Sequence, residues 1–190
     1  MRIVRQTSGG QPITAFAVAI RREEKQNALA AWHSRLCEEP YVHKRIVEAI
    51  LPVFKDWMDQ KDGRLTYRLT QVITGHGCFG DYLNKIGREA TSNCHHCGGT
   101  AQDSADHTLA QCPAWDGERR ALTGRIGSNL SLPAVVMAML VGESNWKAVA
   151  SFCETVMIAK EAAERDRERA DPVRRRRRQG GRIHRPGTSA

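Results

Sequence analysis

Cys94, Cys97, His107 and Cys112 are the residues of this chain whose types and spacing could do chemistry. They read C-x2-C-x9-H-x4-C, inside the strings Cys94-His95-His96-Cys97-Gly98-Gly99 and His107-Thr108-Leu109-Ala110-Gln111-Cys112-Pro113. Three thiols and one imidazole at these gaps predict a tetrahedral zinc site, with the tight cysteine pair gripping the ion from one turn. Gly98 and Gly99 would let the backbone fold back over the metal. All four positions would be filled by protein, so the site has no place for an activated water and reads as structural. A Cys-x-x-Cys can also be a redox pair, but that needs a thioredoxin-like strand–loop–helix context the flanking sequence lacks. A disulfide is a further alternative, and nothing in the sequence indicates secretion.

Other candidate ligands are read differently. His95 and His96 lie between the paired cysteines, where their side chains are expected to splay away from the metal. His76 and Cys78 sit in a glycine-rich bend made by Gly75, Gly77 and Gly80 and are expected to serve packing or the turn rather than a second metal. The G-x-G-x-x-G spacing there lacks the strand before it and the acidic residue after it that a dinucleotide site needs. The chain has no Asp-Asp pair for a polymerase-type metal site, no phosphate-binding Gly-x-x-x-x-Gly-Lys-Ser/Thr, no Gly-x-Ser-x-Gly elbow and no His-Glu-x-x-His. Asp103, Asp106 and Asp116 flank the cysteines but are expected to tune turns and helix starts. No enzyme activity and no small-molecule substrate are expected of this chain by itself.

The charge is unevenly placed. The net charge is +8, yet the seven arginines from residue 172 onward face no acid, while the preceding 171 residues carry 22 basic and 21 acidic side chains. Arg174, Arg175, Arg176, Arg177 and Arg178 are consecutive. Five adjacent guanidiniums cannot be desolvated together, so residues 172–190 read as a disordered basic tail suited to nucleic acid or nuclear import. No apolar run reaches the ~18 residues of a membrane span. The apolar stretch 15–20 is too short for a signal-peptide core and runs into Arg21-Arg22-Glu23-Glu24. Six cysteines without a secretory signal fit a reducing compartment.

The elements that must position the four ligands are almost all helical. Good helix formers with a patchy apolar stripe predict a helix over 15–36. A second stretch over 42–58 carries Ile46, Val47, Ile50, Val53, Phe54 and Trp57 at helical spacing and should be kinked or split by Pro52. Residues 61–63 form a turn signal. Leu65, Tyr67 and Leu69 alternate like a strand, but Leu65, Leu69, Val72 and Ile73 fit a helix, the reading preferred here. A short helix around Tyr82, Leu83 and Ile86 ends at Gly87. Ser104 can cap a short helix through His107 to about Gln111. Pro113 disfavours helical geometry at Cys112, and that matters because residues five apart on a continuous α-helix point about 140° apart. Helices then follow over 115–126, closed by Gly127; after Ser131, with Pro133 in the first turn; and after Ser144, where Trp146, Val149, Cys153, Val156 and Met157 keep one buried face. Beyond Lys160 the stripe stops, so 161–171 should project into solvent or fray. Trp146, Phe152 and the methionines are expected in the core, and Trp115 is expected to pack beside the cysteines.

The fold class is therefore mainly α: small helical domains around a Cys3His zinc knuckle, with a disordered basic tail. The expected divisions are a flexible N-terminus (1–14), a helical segment (15–63), a zinc-knuckle helical domain (64–171, knuckle 94–112) and the tail (172–190).

The strings Leu65-Thr66-Tyr67-Arg68-Leu69-Thr70-Gln71-Val72-Ile73-Thr74-Gly75-His76-Gly77-Cys78-Phe79-Gly80, Cys94-His95-His96-Cys97, His107-Thr108-Leu109, Cys112-Pro113-Ala114-Trp115 and Leu130-Ser131-Leu132-Pro133-Ala134-Val135-Val136 occur in this order. Together they resemble the C-terminal region of the reverse-transcriptase polyprotein of insect non-LTR (LINE-type) retrotransposons, in the clade that inserts into ribosomal RNA genes and telomeric repeats. The resemblance spans 65–169 and extends weakly back through Trp32 to Trp57. It implies a CCHC knuckle on Cys94, Cys97, His107 and Cys112 that helps hold RNA or target DNA during target-primed reverse transcription. The nine-residue Cys–His gap is longer than in gag-type knuckles, so gag-style base stacking is not carried over. The family's endonuclease and polymerase motifs are missing, which implies a truncated or degenerate copy or a C-terminal piece. The expected partners are RNA or DNA and a reverse-transcriptase core, in the nucleus. Arg88, Arg119, Arg120 and Arg125 would be the contacts of the body, and the five tail arginines those of the tail. The alternatives are a protein-interaction module docked on a polymerase core, or a non-functional relic.

Overall fold

The computed structural model describes residues 12–38, 44–61 and 63–171, with side chains from residue 16 onward. Residues 1–11 and the basic tail, with Arg174 to Arg178, lie outside the described residues. The order of elements is α1 (Pro12–Leu36), α2 (Arg45–Ile50), a 3-10 turn (Leu51–Val53), α3 (Phe54–Asp59), α4 (Tyr67–Thr74), α5 (Gly80–Lys85), α6 (Asp116–Ile126), α7 (Leu132–Leu140) and α8 (Glu143–Ala170). Among the described residues the only β pairing is an isolated bridge between Asn93 and Gln102. The mainly α reading holds.

Helix α8 is the column on which α4, α6 and α7 pack, and α2 packs in turn on α7 and α4. Val149, Val156 and Met157 of α8 meet Val135, Val136 and Met139 of α7 and Leu69 of α4 in one core, all at most 2% exposed. Burying side chains of this size stabilises the assembly by about 1.5–3 kcal/mol each. The same core reaches Leu109, Cys112 and Trp115, so the ligand segment grows out of the body's packing.

Packing also decides the segment that alternates like a strand. A half-buried strand would bury Leu65, Tyr67 and Leu69 on one face. Leu65 and Tyr67 are 50% and 75% exposed, whereas Leu69, Val72 and Ile73 are buried at helical spacing. Thr66 caps this helix, its hydroxyl accepting from the Leu69 N–H at 3.2 Å. Pro52 splits the second helical stretch into α2, the 3-10 turn and α3, as its missing N–H requires.

Several expectations are corrected. Residues 12–14, placed in a flexible N-terminus, belong to α1. Ser131 stands at the N-cap of α7 without a side-chain capping bond. Ser144 does not cap α8; Gly142 precedes that helix, and the Ser144 hydroxyl accepts from Arg125. The charged end of α8 stays helical to Ala170, with α4 pairing at Glu154 and Glu161 and the Arg167–Glu164 and Arg169–Asp166 pairs within the helix beyond them. Arg68 reaches Glu154 at 2.9 Å and Glu161 at 2.8 Å, and Gln71 donates to Glu161 at 3.1 Å. Contacts also join residues on the two sides of position 63, without testing the expected division there. Trp57 stacks on Trp146 with centroids 5.6 Å apart, and the Trp146 indole donates to the Arg64 carbonyl at 3.2 Å. Gly63 has a positive φ of 80° and lies against that indole so closely that an added Cβ would collide with the ring. No described helix is long and apolar enough to cross a membrane.

Candidate metal centre

The first ligand pair sits on a tight loop. The Asn93–Gln102 bridge and the Cys94 N–H to Ala101 carbonyl bond, 2.8 Å, hold its two arms together. Gly98 and Gly99 turn the chain back with φ of 82° and 78°, backbone that side-chain-bearing residues rarely adopt. The Gly99 N–H bonds the Cys94 carbonyl at 2.9 Å.

The second pair comes from a helical turn of unusual width. Ser104 accepts from the His107 N–H through its hydroxyl at 2.9 Å and from the Thr108 N–H through its carbonyl at 3.0 Å, so it caps the turn as the sequence suggests. Residues His107–Gln111 then form a π turn, in which the Cys112 N–H bonds the His107 carbonyl at 2.7 Å. An i→i+5 bond widens the helix, which brings residues five apart towards one face. The α-helical offset between His107 and Cys112 is removed by this widening and by the extended backbone of Cys112 before Pro113 (ψ 118°). The sequence accounts for the break at Pro113 and not for the π bond.

One potential ligand atom from each of Cys94, Cys97, His107 and Cys112 lies within 4.8 Å of the others, close enough to hold one metal ion. The Cys94 and Cys112 sulfurs are 3.8 Å apart, and the Cys97 sulfur is 3.4 Å from His107 Nε2. A disulfide needs sulfurs about 2.05 Å apart, and all six cysteines are unbridged. Burial pushes the Cys94 thiol up to about 12 and raises that of Cys112. At neutral pH these thiols hold their protons until a cation displaces them.

The neighbouring histidines are engaged elsewhere. His95 Nε2 lies 2.6 Å from the buried Glu89 carboxylate. His96 packs on Trp115 with ring centroids 4.9 Å apart, and burial drives it down to about 4, a neutral ring at physiological pH. His76 stacks on Tyr82 at 4.8 Å. Burial pushes the half-buried Cys78 thiol up to about 11. Trp115 is 8% exposed and packs beside the ligands as expected.

Four polar residues brace the centre. Lys160, 1% exposed, pairs with buried Asp103 at 2.6 Å. Asp103 also accepts from the Gly80 N–H at 3.0 Å, while its own backbone bonds Ser92 and Asp81, so one carboxylate joins α8, α5 and the ligand loop. Arg45 of α2 bonds Asp106 at 2.8 Å and the carbonyls of Val72, at 2.7 Å, and Ile73. The Arg119 guanidinium donates to the carbonyls of Cys112 at 2.6 Å and Leu109 at 3.1 Å and also pairs with Asp116. The Leu109 carbonyl is one the π turn leaves without a helical partner, whereas the Cys112 carbonyl also accepts from the Trp115 N–H at 3.1 Å.

The sequence reading missed Lys160. The signal was available, because residue 160 continues the 153, 156–157 buried stripe of α8. Of the other arginines singled out, Arg88 and Arg120 are exposed, and Arg125 is exposed at the Ser144 hydroxyl. Arg119 is largely enclosed, with its side chain 12% exposed.

Comparison with known proteins gives no match: no family model fits the chain, and no curated protein or solved structure matches it.

Proposed function

We propose that the chain is a zinc-stabilised nucleic-acid-binding module of the kind that ends the reverse-transcriptase polyprotein of non-LTR retrotransposons. In this reading it handles RNA or target DNA in the nucleus for a polymerase that the chain does not contain. The observation that carries the reading is the four-ligand cluster. Zn–S and Zn–N bonds of about 2.3 and 2.0–2.1 Å in a tetrahedron require S···S and S···N edges of roughly 3.8 and 3.5 Å. The 3.8 and 3.4 Å separations match them. Three thiolates with one imidazole are a donor set that suits zinc and leaves no open coordination position, which supports a structural rather than a catalytic ion. The basic tail supports a polyanionic partner, with exposed Arg88 and Arg120 as further contacts of the body. Arg119 is assigned to the metal centre instead, since its donors are engaged by carbonyls.

Elemental analysis of the purified chain should find one zinc per molecule. Cys94→Ser and Cys112→Ser should each lose the metal and loosen the fold around residues 94–112; full retention of that fold without metal would defeat the zinc reading. Binding to RNA and DNA should fall steeply with salt, and salt-insensitive binding would contradict the electrostatic account.

A further inference from the structure

An open groove of about 930 Å³ runs between α1 and the α2–α3 corner, remote in sequence from the metal centre. Its charges are sorted. Arg22 and Lys25 of α1 and Lys55 of α3 line it, while the acids beside them in sequence, Glu23, Glu24 and Asp56, do not. Asp59 is the single acid in the lining, and Lys25 already faces it at 3.9 Å. Arg22 and Lys55 have no ion pair among the described residues. Between the cations the lining is apolar, Leu29 and Pro52 over the buried Phe54, with the half-buried His33 ring against Phe54 at 5.3 Å. Trp32, 47% exposed, meets the same Phe54 edge-on at 5.4 Å.

On α1 the lining runs from Arg22 to Ser34, about 18 Å at 1.5 Å per residue. Cations over an apolar, ring-bearing lining suit a strand whose phosphates and unstacked bases are both accessible, because bases supply flat apolar faces and phosphates supply charge. A duplex keeps its bases stacked and offers a groove like this one only its backbone.

We propose that this groove binds single-stranded nucleic acid, with Arg22, Lys25 and Lys55 on phosphates and the His33 ring, with Trp32 beside the groove, against bases. The inference rests on the nucleic-acid reading above and adds a site that the tail and the metal centre do not supply.

The test uses the full chain with its metal and a fluorescein-labelled single-stranded 12-mer RNA followed by anisotropy. The unaltered chain is compared with the triple variant Arg22→Gln, Lys25→Gln, Lys55→Gln, with a variant in which residues 174–178 are changed to glutamine, and with the two changes combined. Metal content and circular dichroism establish that each remains folded, and Lys25→Arg with Lys55→Arg should bind as the unaltered chain does. The expected result is at least about tenfold weaker binding by the triple variant, with the log–log salt slope shallower by about 2, the value for three lost phosphate contacts on a single strand. The tail variant should still lose affinity when the triple change is added to it. Undiminished binding by the triple variant overturns the groove and leaves the general reading standing. Absence of RNA binding by the unaltered chain overturns both. Displacement of the RNA by a poly-glutamate peptide of equal charge, at equal concentration, makes the groove a site for an acidic protein and overturns the proposal.

Discussion

Lys160 shows how much one side chain can hold here. Its ammonium is almost wholly removed from water beside Asp103, and a buried charge left alone is expensive to keep. Lys160→Met should therefore destabilise the chain by about 3–5 kcal/mol, measured by urea unfolding. Adding Asp103→Asn to it should recover part of the loss, since the amide oxygen can still accept from Gly80. Arg119 acts on the ligands through their backbone. With its fork removed, the Leu109 carbonyl loses its donor, the Cys112 carbonyl keeps only the Trp115 N–H, and the π turn can relax. Arg119→Ala should lower metal affinity about 10–100-fold, the usual effect of losing a group that orients ligands, read by competition with a chromogenic chelator. Arg119→Lys should fall between, because an ammonium cannot span two carbonyls as a planar fork does.

The elements around the centre depend on their ends more than on propensity. Ser104 starts the turn that carries His107, and Pro113 stops it. Ser104→Ala removes the hydroxyl that accepts the His107 N–H and should cost about 1 kcal/mol, with amide exchange quickening first at residues 107–112. Helices α4 and α8 are tied by Arg68. The Thr66 hydroxyl first, and Arg68 after it, hold the Glu154 carboxyl below its ordinary 4.5. A depressed carboxyl contributes stability that is fully present above its unfolded value and is lost as pH falls through the folded one. Glu154 and Arg68 are half-buried, at 32% and 30% exposed, so solvent screens part of this contribution. Arg68→Met should move the Glu154 titration upward towards 4.5, detectable by side-chain NMR. Much at this scale was legible. The apolar spacing of α4 and α8, the break at Pro52 and the cap at Ser104 are local, and the sequence contains their causes. Ser144 misleads because capping residues resemble one another in sequence, whereas Gly142 and Arg125 decide where the helix starts and what the hydroxyl meets.

At the scale of the whole molecule, the metal centre and the helical body share one core through Leu109, Cys112 and Trp115. Chelation should therefore act locally first. Amides of residues 92–115 should lose protection from hydrogen exchange while α7 and the buried half of α8 keep theirs, and the midpoint of thermal unfolding should fall by about 2–4 °C for each kcal/mol lost in a chain of this size. Uniform loss of protection would mean that the body depends wholly on the ion. By itself the sequence determined the helical class and the candidate ligand set, because periodicity and donor chemistry act over a few residues. Only the tertiary structure decided that Arg119 faces the ligand carbonyls, that Lys160 is buried on Asp103, that α4 pairs with Glu154 and Glu161 of α8 and that an open basic groove lies between α1 and α3. Each of these joins residues far apart in the chain, and whether a charge meets solvent, a carboxylate or a carbonyl depends on which surfaces the fold brings together.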